Sequence, residues 1–140
     1  MDEPIKAAAR RDGPSTFTHR AHARGHELTI DEPLGQGGED QGPTPQELLA
    51  ASLAACTAIT MEMYAARKDW DVGPIEVECE YAPGERGAPT EFKLALRLPN
   101  RLTEEQLERL RVIAGKCPVH RILDGDVLFT ERVELVEPAR

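Results

Sequence analysis

Residues 42–68 read GPTPQELLAASLAACTAITMEMYAARK, and this stretch decides the fold. It opens with a helix start, in which Thr44 is the cap, Pro45 takes the first helical position and Glu47 follows three residues after the cap. Fifteen of the next nineteen residues are apolar, and seven of those are alanine. The sequence therefore predicts a long helix over about residues 45–68 that is apolar on nearly every face.

This helix is long enough to be considered as a membrane span, but its composition argues against one. Glu62 lies inside the apolar stretch, and Arg67 and Lys68 close it. Alanine favours insertion only weakly, and a glutamate inside a bilayer costs a few kcal/mol. We therefore expect the buried central helix of a soluble fold, with no membrane partner.

The overall composition excludes other function classes. The 140 residues carry 17 basic and 25 acidic side chains, which gives a formal net charge of −8. That balance argues against binding to nucleic acid, which requires a basic surface. Three cysteines are too few for a secreted disulfide scaffold, and no signal peptide is visible. We expect a cytoplasmic protein with a flexible tail at 1–14 and one domain at 15–140.

Short strands are predicted on both sides of the long helix. Residues 16–23 and 26–31 flank a tight turn and predict a first hairpin. The alternating runs IEVECEY at 75–81 and FKLALRL at 92–98 predict a second hairpin.

Two further helices and a last strand complete the prediction. Thr103 and Gln106 form a second capping box, for a helix that ends at Gly115. A short helical turn begins at Pro118, and residues 127–136 predict the closing strand. The predicted fold is α+β, with antiparallel strands wrapped on the long buried helix.

The cysteines carry the most chemistry. Cys56 lies in the middle of the long helix among small residues, which leave room beside its sulfur for a ligand, another helix or a partner subunit. Cys117 precedes a helical turn, whose partial positive charge favours a thiolate, so the local sequence ranks it as the more acidic thiol. Both nevertheless fit ordinary structural roles as well. Cys79 alternates with inward-facing residues and is predicted to be core.

No metal or cofactor is expected. His120 lies three residues after Cys117, and with Cys56 these residues offer three zinc ligands. Structural zinc sites usually show two closely spaced ligand pairs, however, and this sequence has no second pair. The three histidines of the first hairpin are expected to be solvated.

Several stretches together resemble the OsmC/Ohr family of peroxide-reducing proteins. They are DEPLGQGG at 31–38, GPTPQELLAASLAACTAIT at 42–60, MYAARK at 63–68 and KCPVHRIL at 116–123, where CPVHR is typical of many OsmC-like members. The resemblance covers about residues 15–136. It implies an intertwined homodimer with the long helices packed together, curved sheets outside and active sites at the subunit interface.

The resemblance also implies an activity. Family members reduce hydroperoxides, often organic ones, with two cysteines and a dithiol reductant. By position, Cys56 corresponds to the peroxidatic cysteine and Cys117 to the resolving one. The alternative is a non-catalytic protein whose pocket binds an apolar ligand or only supports dimer packing.

Charged residues are implied by the same resemblance. Glu47 matches a glutamate of the wider family, whereas Gln46 stands where the organic-hydroperoxide branch has a glutamate. That branch holds the thiolate with an arginine of the first hairpin, for which Arg20 and Arg24 are candidates. His120 is a further candidate cation. A cation is needed because burial disfavours a thiolate.

Overall fold

The computed structural model describes residues 3–138, and it confirms an α+β fold of antiparallel strands and one long helix. A three-stranded sheet comes first, followed by the long helix, a two-stranded sheet and two shorter helices. The elements are β1 (Ala8–Arg11), β2 (His19–Ala23), β3 (His26–Ile30), α1 (Pro45–Arg67), β4 (Glu76–Ala82), β5 (Glu91–Arg97), α2 (Glu104–Ala114) and α3 (Pro118–Leu123), with a single 3₁₀ turn at Leu34–Gln36.

The long helix α1 begins with the predicted capping box. Thr44 Oγ1 accepts a hydrogen bond from the Glu47 amide at 3.1 Å, and the Glu47 carboxylate accepts one from the Thr44 amide at 2.8 Å. These two bonds satisfy amide groups that no helical carbonyl reaches. The helix then packs against α2, α3 and β4, and every fourth residue from Leu53 to Ala65 is buried.

The hydrophobic core lies between α1, α2 and the start of β4. Met61, Ala65 and Leu110 are 0% exposed at its centre. Trp70, the only tryptophan of the chain, packs against this core and meets Tyr64 edge-to-face, with ring centroids 5.6 Å apart. The core therefore belongs to the helical part of the chain and to the second hairpin.

Glu62 has a structural role in α1. Its carboxylate accepts a hydrogen bond from the Ile75 amide at 3.1 Å, which holds the start of β4 beside the helix. By length and composition α1 is apolar enough to cross a bilayer, but its packing within the fold makes it a core helix and not a clear membrane span. Ile59 and Met63 are 48% and 63% exposed, so one face of the helix is uncovered in the single chain.

Strands β4 and β5 form the hairpin that their alternation predicts. Cys79 lies opposite Leu94 on the half-buried face. On the outer face the Arg97 guanidinium bonds to Glu76 at 2.7 Å and to Glu78 at 2.6 Å. Successive side chains of a strand point to opposite faces, so the alternating sequence gives the hairpin one solvent-exposed face and one packed face.

The first sheet contains one strand more than the sequence predicts. Ala8–Arg11, inside the stretch predicted to be a flexible tail, pairs antiparallel with β2. The Asp12 amide bonds to the Thr18 carbonyl at 2.7 Å and closes the intervening turn, so β2 begins at His19 and not three residues earlier. The tail prediction is wrong for these four residues, because pairing and not side-chain alternation creates this strand. Residues 1–2 lie outside the described part of the chain.

A buried carboxylate ties the end of β3 to the loop that follows. Asp31 is 1% exposed, and it accepts hydrogen bonds from Thr18 Oγ1 at 2.7 Å and from the amides of Glu32 at 2.7 Å and Gln41 at 3.1 Å. Burial raises the pKa of Asp31, but these hydrogen bonds outweigh it and leave that pKa below its ordinary value. The glycine- and proline-rich loop at 33–43 is thereby fixed to the sheet.

The predicted last strand at 127–136 is not formed. Leu128, Phe129 and Leu135 are 94%, 85% and 95% exposed. A strand needs a neighbouring strand to satisfy its amide and carbonyl groups, and neither sheet of the described chain pairs with this segment. The prediction is therefore wrong for a single chain, although the apolar alternation that suggested it is present.

Candidate functional site

The fold brings together two cysteines that are far apart in the sequence. Cys56 is half-buried on α1, whereas Cys117 is 0% exposed at the N-cap of α3, which packs on α1. Both thiols are free. Cys117 is one of the groups that raise the pKa of Cys56, so the two sulfurs interact. The contact between α1 and α3 therefore builds a pair of neighbouring thiols, one partly open and one covered.

Cys117 is held from two sides. The His120 amide donates a hydrogen bond to Cys117 Sγ at 3.3 Å, which caps the first turn of α3. On the other side, Thr57 Oγ1 of α1 lies 3.6 Å from the same sulfur, and Thr57 is itself 0% exposed. Thr57 is a site residue that the sequence motifs did not predict. Its one signal was a hydroxyl residue directly after Cys56 on an apolar helix.

The surroundings of Cys56 favour its protonated form. Burial raises the pKa of the Cys56 thiol above its ordinary value, and the Cys117 thiol raises it further. The backbone amide of Val119 and the hydroxyl of Thr60 act in the opposite direction. None of these strongest influences on the Cys56 pKa is a cation.

A groove of about 630 Å³ lies between α1, α3 and the β4–β5 hairpin, and its wall contains residues close in sequence to both thiols but neither cysteine itself. Leu53, one helical turn before Cys56, and His120 both lie in its wall. Tyr81 and Phe92 add an aromatic pair from β4 and β5, with ring centroids 5.2 Å apart. The mostly apolar wall is suited to an apolar or aromatic molecule. Its remaining residues are Leu49, Thr90, Leu94, Leu123 and Asp124.

The two predicted arginines lie on the first sheet, away from Cys56. Arg20 forms ion pairs with Asp12 at 3.2 Å and with Glu27 at 3.0 Å. Arg24 is exposed in the turn between β2 and β3, with a φ of 55°. In the part of the chain that the structure describes, no helix packs extensively on this sheet. A single chain therefore brings neither guanidinium to the sulfur.

The other predicted residues divide between the site and the helix start. His120 adjoins the thiols, because its amide bonds Cys117 and its side chain lines the groove. Glu47 caps α1 and lies about 13.5 Å from Cys56 along the helix axis, at about 1.5 Å per residue. Gln46 is exposed beside it. Within one chain neither Glu47 nor Gln46 reaches the sulfur.

Cys79 lies apart from the pair. It faces a separate groove that it shares with the small residues Ala51, Ala54 and Ala55 of α1. Burial is the one cause that raises the pKa of the Cys79 thiol, which has no polar partner there. Cys79 is half-buried on this groove and does not belong to the hydrophobic core, so the single chain does not confirm the prediction of a core cysteine.

Solved structures share this fold at low sequence identity. An osmotic stress induced and detoxification response protein from Psychrobacter arcticus has a TM-score of 0.72 at 20% identity, over 86% of this chain and 88% of that one. An OsmC-like protein from Mycoplasma pneumoniae has 0.68 at 20% identity, over 89% and 90%. The organic hydroperoxide resistance protein OhrB of Bacillus subtilis has 0.58 at 21% identity, over 89% and 93%.

Comparison with family models and with curated proteins gives the family of the chain. No curated protein matches the chain. A family model described as OsmC-like protein matches residues 37–132, which include α1, both thiols and the groove. The chain therefore belongs to the OsmC-like protein family.

Proposed function

We propose that this protein is a thiol-dependent hydroperoxide reductase, in which Cys56 is the peroxidatic cysteine and Cys117 the resolving one. The observation that carries the proposal is the juxtaposition of one half-buried and one fully buried thiol beside an apolar groove. An accessible sulfur can meet a peroxide, and a covered sulfur is protected from it. The groove walls favour organic hydroperoxides with an apolar or aromatic body.

The first step takes place at Cys56. Its thiolate attacks the distal oxygen of the peroxide, the O–O bond breaks and Cys56 becomes a sulfenic acid, while the departing alkoxide takes a proton to become an alcohol. This step requires a deprotonated sulfur, whereas burial raises the pKa of the Cys56 thiol. A positive group beside Cys56 is therefore the missing requirement of the single chain.

The second step joins the two cysteines. The Cys117 sulfur attacks the Cys56 sulfenic acid, a disulfide forms and water leaves. The packing of α3 on α1 supports this assignment because it brings Cys117 to the helix that carries Cys56, and a disulfide requires the two Cα atoms to approach to about 4.4–6.8 Å. A small dithiol then restores both thiols by exchange. A reducing compartment, the cytoplasm, fits this cycle and the three free cysteines.

The proposal includes a homodimer. The chain exposes 11564 Å², whereas a compact monomer of 15.5 kDa exposes about 7,200 Å². The excess is about 4,300 Å² per chain, so two chains together expose an excess of about 8,600 Å², whereas an obligate dimer interface buries about 2,000–5,000 Å² counted over both chains. The uncovered apolar surfaces are the Ile59 and Met63 face of α1, the Leu28 face of the first sheet, and the segment 127–136.

A second subunit also supplies the missing charge in this proposal. Within residues 3–138 no helix packs extensively on the first sheet, so the sheet is free to pack near the thiols of its partner. Arg24 or Arg20 would then stand beside Cys56 of the other chain, with Glu47 available to orient the guanidinium. His120, whose amide bonds to Cys117 and which lines the groove, is the candidate cation on the same chain.

A peroxide assay tests the reaction. Purified protein is incubated with cumene hydroperoxide and dithiothreitol, and peroxide loss is followed for wild type, Cys56→Ser, Cys117→Ser and Cys79→Ser. We expect turnover in wild type and Cys79→Ser, and none in Cys56→Ser. In a parallel reaction without dithiothreitol, Cys117→Ser should consume about one equivalent and stop with Cys56 as a sulfenic acid and no disulfide. Wild-type protein without turnover, or a disulfide that contains Cys79, would contradict the assignment.

One observation favours a non-catalytic function as the second candidate. With burial and Cys117 both raising the pKa of Cys56 and no cation opposing them, the thiol stays protonated in an isolated chain. The groove would then act as a binding site for an apolar molecule. In that case a hydrophobic fluorescent probe should saturate the groove equally in wild type and Cys56→Ser, and peroxide loss should be absent from both.

A further inference from the structure

Thr57 makes a contact that an ordinary helix threonine lacks. Its Oγ1 donates a hydrogen bond to the Leu53 carbonyl at 2.8 Å, which is the usual way for a threonine to satisfy itself inside a helix. The same oxygen lies 3.6 Å from Cys117 Sγ, which belongs to another helix. Both Thr57 and Cys117 are 0% exposed, so no water competes for either group.

A hydroxyl has one proton and two acceptor sites, and this number fixes the direction of each bond. While the Thr57 proton goes to Leu53, its oxygen can only accept, so the Cys117 S–H must donate to it. When Cys117 is a thiolate, the Thr57 hydroxyl can rotate and donate to the sulfur. The Leu53 carbonyl keeps its helical amide partner in both cases.

We propose that Thr57 is a positioning residue for the resolving thiol, which it holds beside Cys56 in both protonation states. The inference rests on the proposed function, in which Cys117 resolves the Cys56 sulfenic acid. Cys56 and Thr57 are consecutive on α1, so the residue that carries the sulfenic acid is rigidly linked to the residue that holds its attacker. While Cys117 is protonated, the Leu53 bond orients the Thr57 hydroxyl, and this fixes the acceptor that the Cys117 thiol meets.

Thr57 assists the step in which the two cysteines form a disulfide. Cys117 loses its proton, and its sulfur attacks the Cys56 sulfur. The S–S bond forms as the Cys56 S–O bond breaks, and the departing hydroxide takes a proton to become water. The Cys56 sulfur is reduced and the Cys117 sulfur is oxidised. Thr57 neither gains nor loses a proton in total, because its hydroxyl only changes from acceptor to donor.

The test separates the two chemical steps. Reduced protein receives one equivalent of cumene hydroperoxide, and samples are quenched with dimedone, which traps Cys56 sulfenic acid, and analysed by mass spectrometry. In Thr57→Val, which has nearly the same shape but no hydroxyl, we expect disulfide formation to slow about three- to tenfold, the loss of about one hydrogen bond. The trapped adduct should rise accordingly, and peroxide consumption in the first turnover should stay within about twofold of wild type.

Two variants control for a merely structural effect. Thr57→Ser keeps the hydroxyl and should restore the wild-type rate of disulfide formation. Thr60→Val removes the hydroxyl that lowers the pKa of Cys56, and it should slow the peroxide step instead. If Thr57→Val is insoluble, Thr57→Ala removes the same hydroxyl with less volume and should show the same slow second step.

Failure of the inference and failure of the proposed function give different results. If Thr57→Val and Thr57→Ala form the disulfide at the wild-type rate, or Thr57→Ser fails to restore it, the role of Thr57 is overturned. If wild type consumes no hydroperoxide, the proposed function fails. In that event diamide, which oxidises neighbouring thiols to a disulfide and is reduced to a hydrazine, still compares the pair. If diamide forms the disulfide more slowly in Thr57→Val than in wild type and Thr57→Ser, the positioning role of Thr57 is supported. If all three proteins form it at the same rate, that role is overturned.

Discussion

The packed half of the chain, residues 44–123, and the first sheet, residues 8–31, obtain their stability from different sources. In the packed half, α1 shares a core with α2, α3 and the β4–β5 hairpin, and its central side chains are inaccessible to water. The first sheet is held by strand pairing and by hydrogen bonds to Asp31, and Leu28 on it is 55% exposed. The packed half is stabilised by burial of its own apolar side chains, whereas the first sheet exposes apolar surface in the single chain.

The same division separates the chemical groups. Both thiols and the groove belong to the packed half, whereas Arg20 and Arg24 belong to the first sheet. The proposed reaction needs both sets at one point. In the proposed function, assembly of two chains therefore both covers the exposed apolar surface and activates Cys56.

Truncation of the core should give the largest difference between the two regions. Leu110→Ala is expected to lower the free energy of unfolding by about 2–5 kcal/mol, because it leaves a cavity at a fully buried position. Leu28→Ala should change that of the dissociated chain by less than about 0.5 kcal/mol. Urea unfolding at low and high protein concentration measures both values. If Leu110→Ala and Leu28→Ala lower the free energy of unfolding equally at low protein concentration, the two regions do not differ in their source of stability.

A charge in the C-terminal segment should weaken association. Leu135 is 95% exposed in the single chain and belongs to the apolar set that alternates along 127–136. If Leu135 is buried in the dimer, Leu135→Glu should weaken the free energy of association by about 1.5–3 kcal/mol per subunit or more, because the burial of one leucine side chain is lost. Sedimentation velocity over a concentration series reports the dissociation constant. Glu134→Gln, on the neighbouring residue of opposite orientation, is the matched control and should leave that constant unchanged.

Mixed dimers test whether the cation crosses between subunits. Arg24→Ala should raise the pKa of Cys56 and slow peroxide reduction about tenfold, because one pKa unit corresponds to about 1.4 kcal/mol. Co-expression of Cys56→Ser with Arg24→Ala then creates dimers in which one site has both the cysteine and the arginine. We expect these dimers to show about half of the wild-type activity, because one of their two sites is intact, whereas Arg24→Ala alone keeps only about a tenth.

The same cross also discriminates among the basic residues. Recovery with Arg20→Ala in place of Arg24→Ala would assign the role to Arg20. No recovery with either variant would place the active cation on the same chain as the cysteine, where His120 adjoins the pair. Arg86→Ala, in the exposed turn between β4 and β5, is the matched control for loss of a positive charge.

The smallest expected effect concerns acid stability of the first sheet. The pKa of Asp31 is held below its ordinary value of 3.8, so its hydrogen bonds contribute fully above about pH 3.8 and are lost as the pH falls through the lower folded-state value. Asp31→Asn should therefore destabilise the sheet near neutral pH, and the difference from wild type should shrink below pH 3.8. Hydrogen exchange of β2 and β3 amides measures it. A difference that is constant with pH would contradict the ionised form of Asp31.

The helix boundaries were predictable because their signals are local. Thr44 with Glu47 and Thr103 with Gln106 each form the capping box that their spacing predicts. The pairing of β4 with β5 likewise follows from a strict alternation. In each case the residues that determine the helix start or the strand lie within a few positions of one another, so the local sequence is enough to predict it.

The remaining features depend on distant parts of the chain or on a second chain. Strand β1 has the sequence AARR, which has no alternation, and it exists because β2 lies beside it. Segment 127–136 has the alternation but no neighbour, and it forms no strand in the single chain. Thr57 could not be identified as a site residue before α3 was placed against α1. The pairing of Cys56 with Cys117 came from the family resemblance and not from local pattern.

The position of Trp70 gives the chain an optical readout confined to one region. As the only tryptophan, packed on the core beside Tyr64, it dominates the fluorescence, and the first sheet contributes none to that signal. Far-ultraviolet circular dichroism, in contrast, reports helices and both sheets together. Denaturation curves from the two methods will coincide if the regions unfold as one unit and separate if the first sheet melts on its own. The ratio of the two signals then gives a label-free measure of how tightly the sheet is coupled to the rest.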